Sequence, residues 1–356
     1  MAIIKLIISF LLSIGQILLP VSQGIGGTAE NYFTEWTKET VFTEEAYAVL
    51  EKNPDEDFVI LNLTDIQLSD GEIYGEMGDR SNAMIAKLID EQDPDLITLT
   101  GDNAWDTMAY IELVDYIDSF GIPWAPVMGN HDGQGCISEE WCARLFMDAD
   151  NCLFEFGPED MGYGNYIINI TENDEIIHTL FMMDSHGSKN YKDADGNVFN
   201  DYDHFWPNQI KWYKWAVKGI ADEAGKVIES TVFMHIPVYE YKTAWAEAWD
   251  EEADCFRPEY AETSFGRNNE TACPAPVNNG FFSVCKELGS TKNMVCGHDH
   301  VNCSSILYDG IRLTYGLKLG EGCYFEEGMT GGTTLTINSQ GSVLTEHQYV
   351  ELNGLV

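Results

Sequence analysis

Short apolar runs alternate with segments of helical spacing in the first half of the chain. Residues 58–64, 96–100 and 124–128 are apolar runs bounded by Pro, Gly or Asp, as buried strands are. Residues 81–92 and 110–120 instead carry apolar side chains three or four positions apart, which is typical of helices. This alternation of strands and helices predicts an α/β layer.

The second half of the chain is richer in strands. One helix is predicted from Pro207 to about Ala221, because proline is favoured at the first helical position. Its Trp212 and Trp215 are interpreted as core packing. His178, within a predicted strand, is expected at the surface. The strand candidates are 166–170, 176–183, 232–234, 293–296, 304–308, 311–315 and 332–337.

The first 24 residues resemble an export signal. Lys5 precedes an apolar run from Leu6 to Leu19, Pro20 interrupts the run, and small residues follow. The run is shorter than the roughly 20 residues that a membrane-spanning helix needs, so we expect a signal peptide and no stable membrane span. From Asn31 onward there is no Pro-, Gly- or Ser-rich linker and no repeat. We therefore expect one domain over residues 31–356 in a secreted or cell-surface protein.

The cysteines fit an oxidising compartment. No two of the nine form a C-x-x-C pair, so disulfides are favoured over a zinc ribbon. Because nine is an odd number, at least one thiol is free or pairs between chains. Cys255 with Cys273 is one candidate pair, and Cys136, Cys142 and Cys152 are close enough in sequence to pair locally.

Four glycosylation sequons fit the same compartment. They begin at Asn62, Asn169, Asn269 and Asn302. Asn62 lies inside an apolar strand and is expected to be buried and unmodified. Asn269, in a polar loop, is the best candidate for a glycoprotein site.

The charge of the chain limits its partners. It carries 59 acidic and 19 basic residues, a formal net charge of −40. Such a surface repels polyanions, which excludes nucleic acid as the main partner. It also attracts divalent cations, although solubility alone is the simpler explanation.

Polar side chains of one chemical kind follow the predicted strands where these end. Asp65, Asp102 and Asn130 come just after apolar runs of the first half, His235 follows residues 232–234, and a Gly-His-Asp-His turn occupies 297–300. Strand ends at one edge of a sheet converge, and ligand sites lie there. Carboxylates can bridge two cations and imidazoles suit zinc, iron or manganese, so the pattern predicts a metal centre.

The order of these motifs resembles a known family. D-x-Q, G-D-N, G-N-H-D, V-x-x-H and G-H-x-H follow one another between residues 58 and 349, as in the calcineurin-like metallophosphoesterases. Residues 202–213 and 233–241 resemble the purple-acid-phosphatase-like branch. The resemblance implies an α/β fold, a four-layer αββα sandwich of two mixed β-sheets flanked by helices. It also implies a dinuclear metal site at one sheet edge.

The resemblance implies roles for individual residues. The first metal ion would be bound by Asp65, Gln67 and His300, Asp102 would bridge the two ions, and the second would be bound by Asn130, His235 and His298. His131 would donate a proton to the leaving oxygen or stabilise charge on the phosphoryl group, and Asp132 would orient it through a hydrogen bond. Asn103 is expected to contact the phosphate. His186, which follows a strand, is added as a substrate-binding candidate.

Two positions depart from the family pattern. Gln67 stands where the first motif usually has histidine, and an amide oxygen favours manganese, iron(II) or magnesium more than imidazole does. Trp105 stands where purple acid phosphatases have a tyrosine ligand, so no tyrosinate–iron colour is expected.

These patterns lead to a functional hypothesis with two alternatives. The leading interpretation is a secreted phosphohydrolase that cleaves small phosphorylated esters with water activated by two divalent metal ions, Mn, Fe, Zn or Mg. A nucleotide pyrophosphatase or phosphodiesterase is the alternative within the same chemistry. An inactive secreted binding protein on the same fold is the alternative from another class.

Overall fold

The apolar runs form strands, and the segments of helical spacing form helices. The computed structural model describes residues 32–134, 137–352 and 354–355, and the predicted export signal at 1–24 lies outside them. The strands are β1 (Ala48–Glu51), β2 (Phe58–Leu63), β3 (Leu96–Thr100), β4 (Trp124–Val127), β5 (Tyr166–Glu172), β6 (Glu175–Met182), β7 (Ser188–Lys192), β8 (Val198–Tyr202), β9 (Ser230–Phe233), β10 (Trp249–Asp250), β11 (Cys255–Phe256), β12 (Thr291–Cys296), β13 (Ser305–Tyr308), β14 (Ile311–Tyr315), β15 (Gly331–Ile337) and β16 (Val343–Tyr349). The helices are α1 (Glu76–Gln92), α2 (Thr107–Asp118), α3 (Glu139–Met147), α4 (Pro207–Ala224), α5 (Glu240–Ala248) and α6 (Phe281–Leu288).

The strands of the first half build a five-stranded sheet with the order β16-β15-β2-β3-β4. β2, β3 and β4 are parallel neighbours, whereas β15 and β16 join antiparallel. The three parallel strands are buried almost throughout, as expected for strands covered on both faces. Because they run in one direction, Asp65, Asp102 and Asn130, which follow them, emerge at the same edge of this sheet.

The strands of the second half build a seven-stranded sheet with the order β1-β5-β6-β9-β12-β14-β13. Its four middle strands, from β6 to β14, are parallel, and the β5-β6 and β13-β14 pairs are antiparallel. His235 and the 297–300 turn follow β9 and β12 at the carboxyl ends of two adjacent parallel strands. This sheet therefore adds histidines to the carboxylates of the first.

An aromatic core joins the seven-stranded sheet to its helices. Phe181 of β6 lies 4.9 Å from Tyr213 of α4, and Tyr213 lies 5.1 Å from Phe281 of α6, measured between ring centroids. Trp212 is 4% exposed in the same core, which confirms its interpretation as core packing. Burying side chains of this size contributes roughly 1.5–3 kcal/mol each.

The helices and sheets form the predicted four-layer αββα sandwich. Helix α1 packs on β2 and β15, α6 packs on β12, and strands β4 and β6 meet between the two sheets. Residues Thr34–Val356 form one compact unit. Across the described part of the chain, no helix combines the length and apolar character that crossing a membrane requires.

Helix boundaries and short elements differ from the sequence prediction. Helix α1 begins at Glu76, five residues before the predicted start, because the single apolar side chain of its first turn, Met77, does not establish an apolar periodicity. Helices α3, α5 and α6 were not predicted. They have eight or nine residues each, too few for a helical period to stand out.

The cysteine pairing predicted from the sequence is wrong in this structure. The eight cysteines in the described ranges are free thiols, Cys255 and Cys273 among them. Cys142 is buried and donates its thiol hydrogen to the carbonyl oxygen of Asp132 at 3.1 Å. Cys136 lies outside the described residues.

Three of the four sequons are buried. Asn62 and Asn169 are 0% exposed and Asn302 is 2% exposed, which confirms the predicted burial of Asn62. Asn269 is exposed, and its side-chain amide donates to a carboxylate oxygen of Glu326 at 2.6 Å.

The prediction that His178 lies at the surface is wrong. Its side chain is fully buried, with Nδ1 2.8 Å from the carbonyl oxygen of Gly341 and Nε2 2.9 Å from the hydroxyl of Thr231. Burial lowers the pKa of His178 to about 4.

His178 makes the fold sensitive to acid. Below pH 6.5 the unfolded chain binds a proton at this histidine, whereas the folded chain does so only near pH 4, so stability is lost as the pH falls between these values. From pH 7 to pH 5 this costs about 2 kcal/mol. Urea unfolding of wild type and His178→Gln at both pH values should show a smaller acid loss in the variant by that amount. Equal losses would contradict the assignment.

Candidate metal centre

Four donor atoms from both sheets converge at the carboxyl ends of their strands. Nε2 of His235 lies 2.9 Å from Oδ1 of Asn130 and 3.3 Å from Oδ1 of Asp102. Nδ1 of His298 lies 2.8 Å from the same Asn130 oxygen and 3.3 Å from Nε2 of His235. These four residues are the ones that the sequence resemblance assigns to the second metal ion, with Asp102 shared between both ions. We therefore call Asp102, Asn130, His235 and His298 the second donor set.

A second hydrogen bond fixes the ring of His235. Its Nδ1–H donates to the carbonyl oxygen of Thr100, the last residue of β3, at 2.9 Å. With Nδ1 committed to this hydrogen bond, Nε2 is the nitrogen that faces the other donors and that would bind a metal ion after losing its own proton. A strand of one sheet thus orients a ligand that the other sheet supplies.

A first donor set lies beside it and consists of Asp65, Gln67 and His300. Nε2 of His300 is 3.4 Å from Oδ1 of Asp65, and Nδ1–H of His300 donates to the carbonyl oxygen of Tyr324 at 3.0 Å. The Tyr324 ring also stacks on the His300 ring at 4.2 Å. The side-chain amide of Gln67 presents its nitrogen and not its oxygen to the centre, because its Nε2 donates to Oδ2 of Asp102 at 2.7 Å.

Lys318 lies under the first donor set, and its side chain is buried. Nζ donates to the carbonyl oxygen of Asp65 at 2.5 Å and lies 3.5 Å from Oε1 of Gln67. Burial lowers the pKa of Lys318 to about 8. No sequence motif singled this residue out.

The backbone is unusual at the donor residues. Asp65, Gln67, Asp102 and His298 adopt left-handed conformations, with φ between 49° and 80°. This region is unfavourable for residues other than glycine, and such strain is found where a structure holds functional groups in place. The strain falls on four of the seven residues that the sequence predicts as ligands.

Close packing of backbone explains two glycines of the motifs. A Cβ atom on Gly297 would lie 2.1 Å from Oγ1 of Thr64 and 2.4 Å from Oδ2 of Asp65. A Cβ atom on Gly129 would lie 2.1 Å from the amide nitrogen of Asp102. Only glycine therefore lets these strand ends approach.

The buried charges balance one another. Burial opposes ionisation of Asp65, but the hydrogen bond and charge of His300 hold the pKa of that carboxyl below its usual range. Burial likewise opposes a charge on His235, yet the carboxylate of Asp102 raises the pKa of His235 to about 10. Burial and the neighbouring His235 lower the pKa of His298 to about 3.

The second donor set fits a divalent metal ion. It offers one carboxylate oxygen, one amide oxygen and two imidazole nitrogens, a mixture typical of zinc, iron and manganese sites. The ligand atoms of Asp65, Asp102 and His235 also lie within 4.8 Å of one another. The first set offers Asp65 and His300, with Gln67 presenting its nitrogen to Asp102.

His131 lies at the rim of the centre, not within it. Its side chain is 32% exposed, and Nε2 lies 3.9 Å from Oδ2 of Asp102. Nδ1 lies 2.9 Å from Oε1 of Gln134, and the ring packs on Trp105 at 4.3 Å. Nε2 of His131 therefore faces the centre, and Nδ1 faces away from it toward Gln134.

Asp132 and Asn103 stabilise the surrounding backbone and do not make the contacts that were predicted for them. Asp132 accepts hydrogen bonds from the backbone amides of Asn103 and Gly129 and from the hydroxyl of Tyr110, and it does not contact the His131 ring. The side-chain amide of Asn103 is buried and donates to Asp132 at 2.8 Å and to the carbonyl oxygen of Val127 at 3.2 Å. Both side chains are buried and are engaged by partners within the protein.

His186 is also engaged within the protein. Nε2 lies 2.8 Å from Oε1 of Gln209, and Nδ1 lies 3.4 Å from Oδ2 of Asp184. Its ring stacks on Trp206 at 3.9 Å. With both ring nitrogens occupied, this geometry does not support the substrate contact predicted from the sequence.

Four residues around the centre were not predicted from the sequence. They are Gln134, Tyr202, Lys318 and Tyr324. Tyr202, the last residue of β8, meets the His298 ring edge-on at 4.3 Å. Their positions depend on loop paths and on pairing between distant segments, and only the nearness of Gln134 to His131 in sequence was a usable signal.

Two mixed sheets that present carboxylates and imidazoles at a shared edge define a class of metal-dependent hydrolase folds. The family model for calcineurin-like phosphoesterases matches residues 58–302, more than half of the chain. The chain therefore belongs to this family.

Named relatives share part of the chain. "Probable inactive purple acid phosphatase 14" of Arabidopsis thaliana is 27% identical over 261 residues, which are 66% of this chain and 61% of the relative. "Phosphatase DCR2" of Saccharomyces cerevisiae is 26% identical over 337 residues, 86% of this chain and 55% of the relative. The chain thus spans less than two thirds of the length of either relative.

A solved structure shares the fold. A dimetal phosphatase from Danio rerio superposes with a TM-score of 0.51 at 14% identity, covering 82% of this chain and 99% of that one.

Replacing Gly297 tests how closely the strand ends must approach. Gly297→Ala should lower the free energy of unfolding by about 1–3 kcal/mol, because the new methyl group overlaps Thr64 and Asp65. Gly71→Ala is the matched control, since its nearest neighbour would lie 4.0 Å away, and it should change stability by less than about 0.5 kcal/mol. Urea unfolding measures both, and equal effects would contradict the packing argument.

Proposed function

We propose that the chain is a metal-dependent phosphohydrolase that acts on small phosphorylated esters. The observation that carries this proposal is the second donor set, whose four donor atoms from two sheets lie 2.8–3.3 Å from their neighbours. Family membership supports phosphoester chemistry at this position. The loops that surround the donor sets select the substrate within this class.

The donor groups of this chain form two adjacent sets, of which the second is complete for a divalent ion. Asp102, Asn130, His235 and His298 would hold one ion, and Asp65 and His300, with Asp102, are the anionic and imidazole groups of the other position. When bound, a divalent ion lowers the pKa of water and neutralises charge on a phosphoryl group. The ion belongs to the class of Mn, Fe, Zn and Mg.

The residues around His131 prepare it to move a proton. Nε2 of Gln134 donates to the carbonyl oxygen of Asn130 at 2.9 Å, which turns Oε1 of Gln134 toward His131. Nδ1 of His131 must then carry a hydrogen, and Nε2 is the atom left to take up or give a proton on the side of the centre. A protonated Nε2 can protonate the leaving oxygen of a phosphate ester.

A non-catalytic binding protein is the second candidate. It is favoured by the names of three Arabidopsis thaliana relatives, each a "Probable inactive purple acid phosphatase". The second donor set and the orientation of His131 by Gln134 argue for the enzyme. An assay with para-nitrophenyl phosphate, bis-para-nitrophenyl phosphate and a nucleotide pyrophosphate separates monoesterase, diesterase and pyrophosphatase, and absence of all three activities with every metal favours the binding protein.

Export to an oxidising compartment is part of the same proposal. It rests on the signal-like segment 1–24 and on the exposure of the sequon at Asn269. Expression of the full chain in a eukaryotic host, followed by peptide-N-glycosidase treatment of the medium, tests it. A mass shift removed by Asn269→Gln supports export, and retention of an unglycosylated chain in the cytosol contradicts it.

Asp102→Asn should abolish metal-dependent hydrolysis and leave the fold intact. The change removes the negative charge that both donor sets share, while an amide oxygen can still accept the hydrogen bond from the His131 backbone. Turnover measured with each metal tests the loss of hydrolysis, and near-ultraviolet circular dichroism tests whether the fold is intact. Activity that survives in a folded Asp102→Asn variant would show that the site is misplaced.

His131→Ala should lower kcat by about 10²- to 10⁴-fold with esters of poor leaving groups. Gln134→Leu should produce part of that loss, because it removes the acceptor that fixes the proton on Nδ1. The measurement is kcat for an alkyl phosphate and for para-nitrophenyl phosphate. Since nitrophenolate needs little protonation, its kcat should fall less, and equal losses would contradict a role in proton transfer.

A further inference from the structure

Lys318 and Gln67 change the metal-binding properties of the first donor set. We propose that the ammonium group of Lys318 supplies the positive charge there, so that the centre holds one divalent ion tightly, in the second donor set, instead of two. The inference depends on the proposed function only for the presence of a metal centre at this site.

The backbone fixes the position of Lys318. The residue lies three positions after β14 and forms parallel bridges with Thr64 and Thr330, which brings it beside the end of β2. Its side chain is 1% exposed, and Nζ contacts the carbonyl oxygen of Asp65. The ammonium therefore lies against the backbone of a first-set residue, where water cannot solvate it.

The ammonium dictates how the Gln67 amide is turned. A lysine ammonium has three donors and no acceptor, so it attracts the amide oxygen, and Oε1 of Gln67 lies 3.5 Å from Nζ. The amide nitrogen then faces Oδ2 of Asp102 and donates to it at 2.7 Å. Amide hydrogens repel a cation, so this orientation withdraws one ligand from the first position.

Turning the amide over would not restore the ligand without loss. Nε2 of Gln67 would then face the ammonium of Lys318, with donor against donor at 3.5 Å. Within the described ranges, Nζ would then keep a single acceptor, the carbonyl oxygen of Asp65. A metal ion at the first position must therefore overcome both a lost hydrogen bond and repulsion from a buried positive charge.

The counter-charges of Lys318 are the carboxylates of the centre itself. In the described part of the chain, no carboxylate oxygen lies within 4.0 Å of Nζ, and the carboxylates that act on it from a greater distance are those of Asp65 and Asp102. A buried charge needs compensation, so Lys318 draws on the carboxylates that a first metal ion would need. One ion and one ammonium satisfy both carboxylates.

A second buried lysine among the described residues, Lys52, shows the contrast. Lys52 is also 1% exposed, but its Nζ pairs with a carboxylate oxygen of Glu172 at 2.6 Å and with the hydroxyl of Ser339 at 3.1 Å. Its charge is compensated locally and is independent of the metal centre. Lys52 is therefore the matched control for Lys318.

Metal content of the full chain tests the inference. The purified protein is equilibrated with excess Mn²⁺, or in parallel with Zn²⁺, freed of unbound metal by gel filtration, and analysed by inductively coupled plasma mass spectrometry. Wild type, Lys52→Met and Lys318→Arg should retain one ion per chain. Lys318→Met combined with Gln67→His should retain two. Two ions in wild type, or one in the folded double variant, would overturn the inference.

Two further variants locate the ion and do not depend on how the double variant folds. His298→Ala should lower the content from one ion toward none, whereas His300→Ala should leave it at one. The reverse pattern, with loss in His300→Ala and retention in His298→Ala, would overturn the inference. Phosphate release from the same wild-type sample is recorded separately. One ion without turnover would count against the proposed function alone, and turnover with two ions would count against this inference alone.

Discussion

The carboxylate of Asp102 is the interaction on which the rest of the site depends. It lies at the end of a buried strand and accepts hydrogen bonds from the backbone of His131 and the amide of Gln67, and it lies 3.3 Å from Nε2 of His235. These contacts join both sheets through one buried charge. A buried anion is costly unless it is compensated, so the surrounding residues must supply donors or cations. The fold supplies imidazoles, an amide and a buried ammonium.

The same constraint explains the backbone of the site. Strand ends from two sheets can share one carboxylate only if their backbones nearly touch, and Gly129 and Gly297 leave the space for that approach. The left-handed conformations of Asp65, Asp102 and His298 then aim their side chains inward. The strained backbone at these positions lowers the stability of the fold. Burial of apolar side chains, in the aromatic core of the seven-stranded sheet and in the strands of the five-stranded sheet, offsets that loss.

The central strands, the sandwich and the position of the site follow from the sequence. Apolar runs that end at Asp65, Asp102 and Asn130 mark parallel strands because their burial leaves a pattern that is visible without coordinates. The environment of each polar group leaves no such pattern. Asp132 was expected to hold His131, but it contacts backbone amides and Tyr110, because a buried carboxylate binds whichever donors the fold brings near. Lys318 reaches the site through a bridge to Thr64, more than 250 positions away in sequence. His178 shows the same limit, since a polar residue in a strand has no local sign of which face is covered.

The proposed function requires that Asp102, Asn130, His235 and His298 together bind a divalent ion. Anomalous diffraction from crystals of the full chain grown with Mn²⁺, recorded above and below the manganese absorption edge, measures this directly. We expect a strong peak within bonding distance of the Asp102 and Asn130 oxygens and the ligating nitrogens of His235 and His298, about 2.0–2.3 Å away. A map without a peak at that position, or with its only peak elsewhere in the chain, would contradict it.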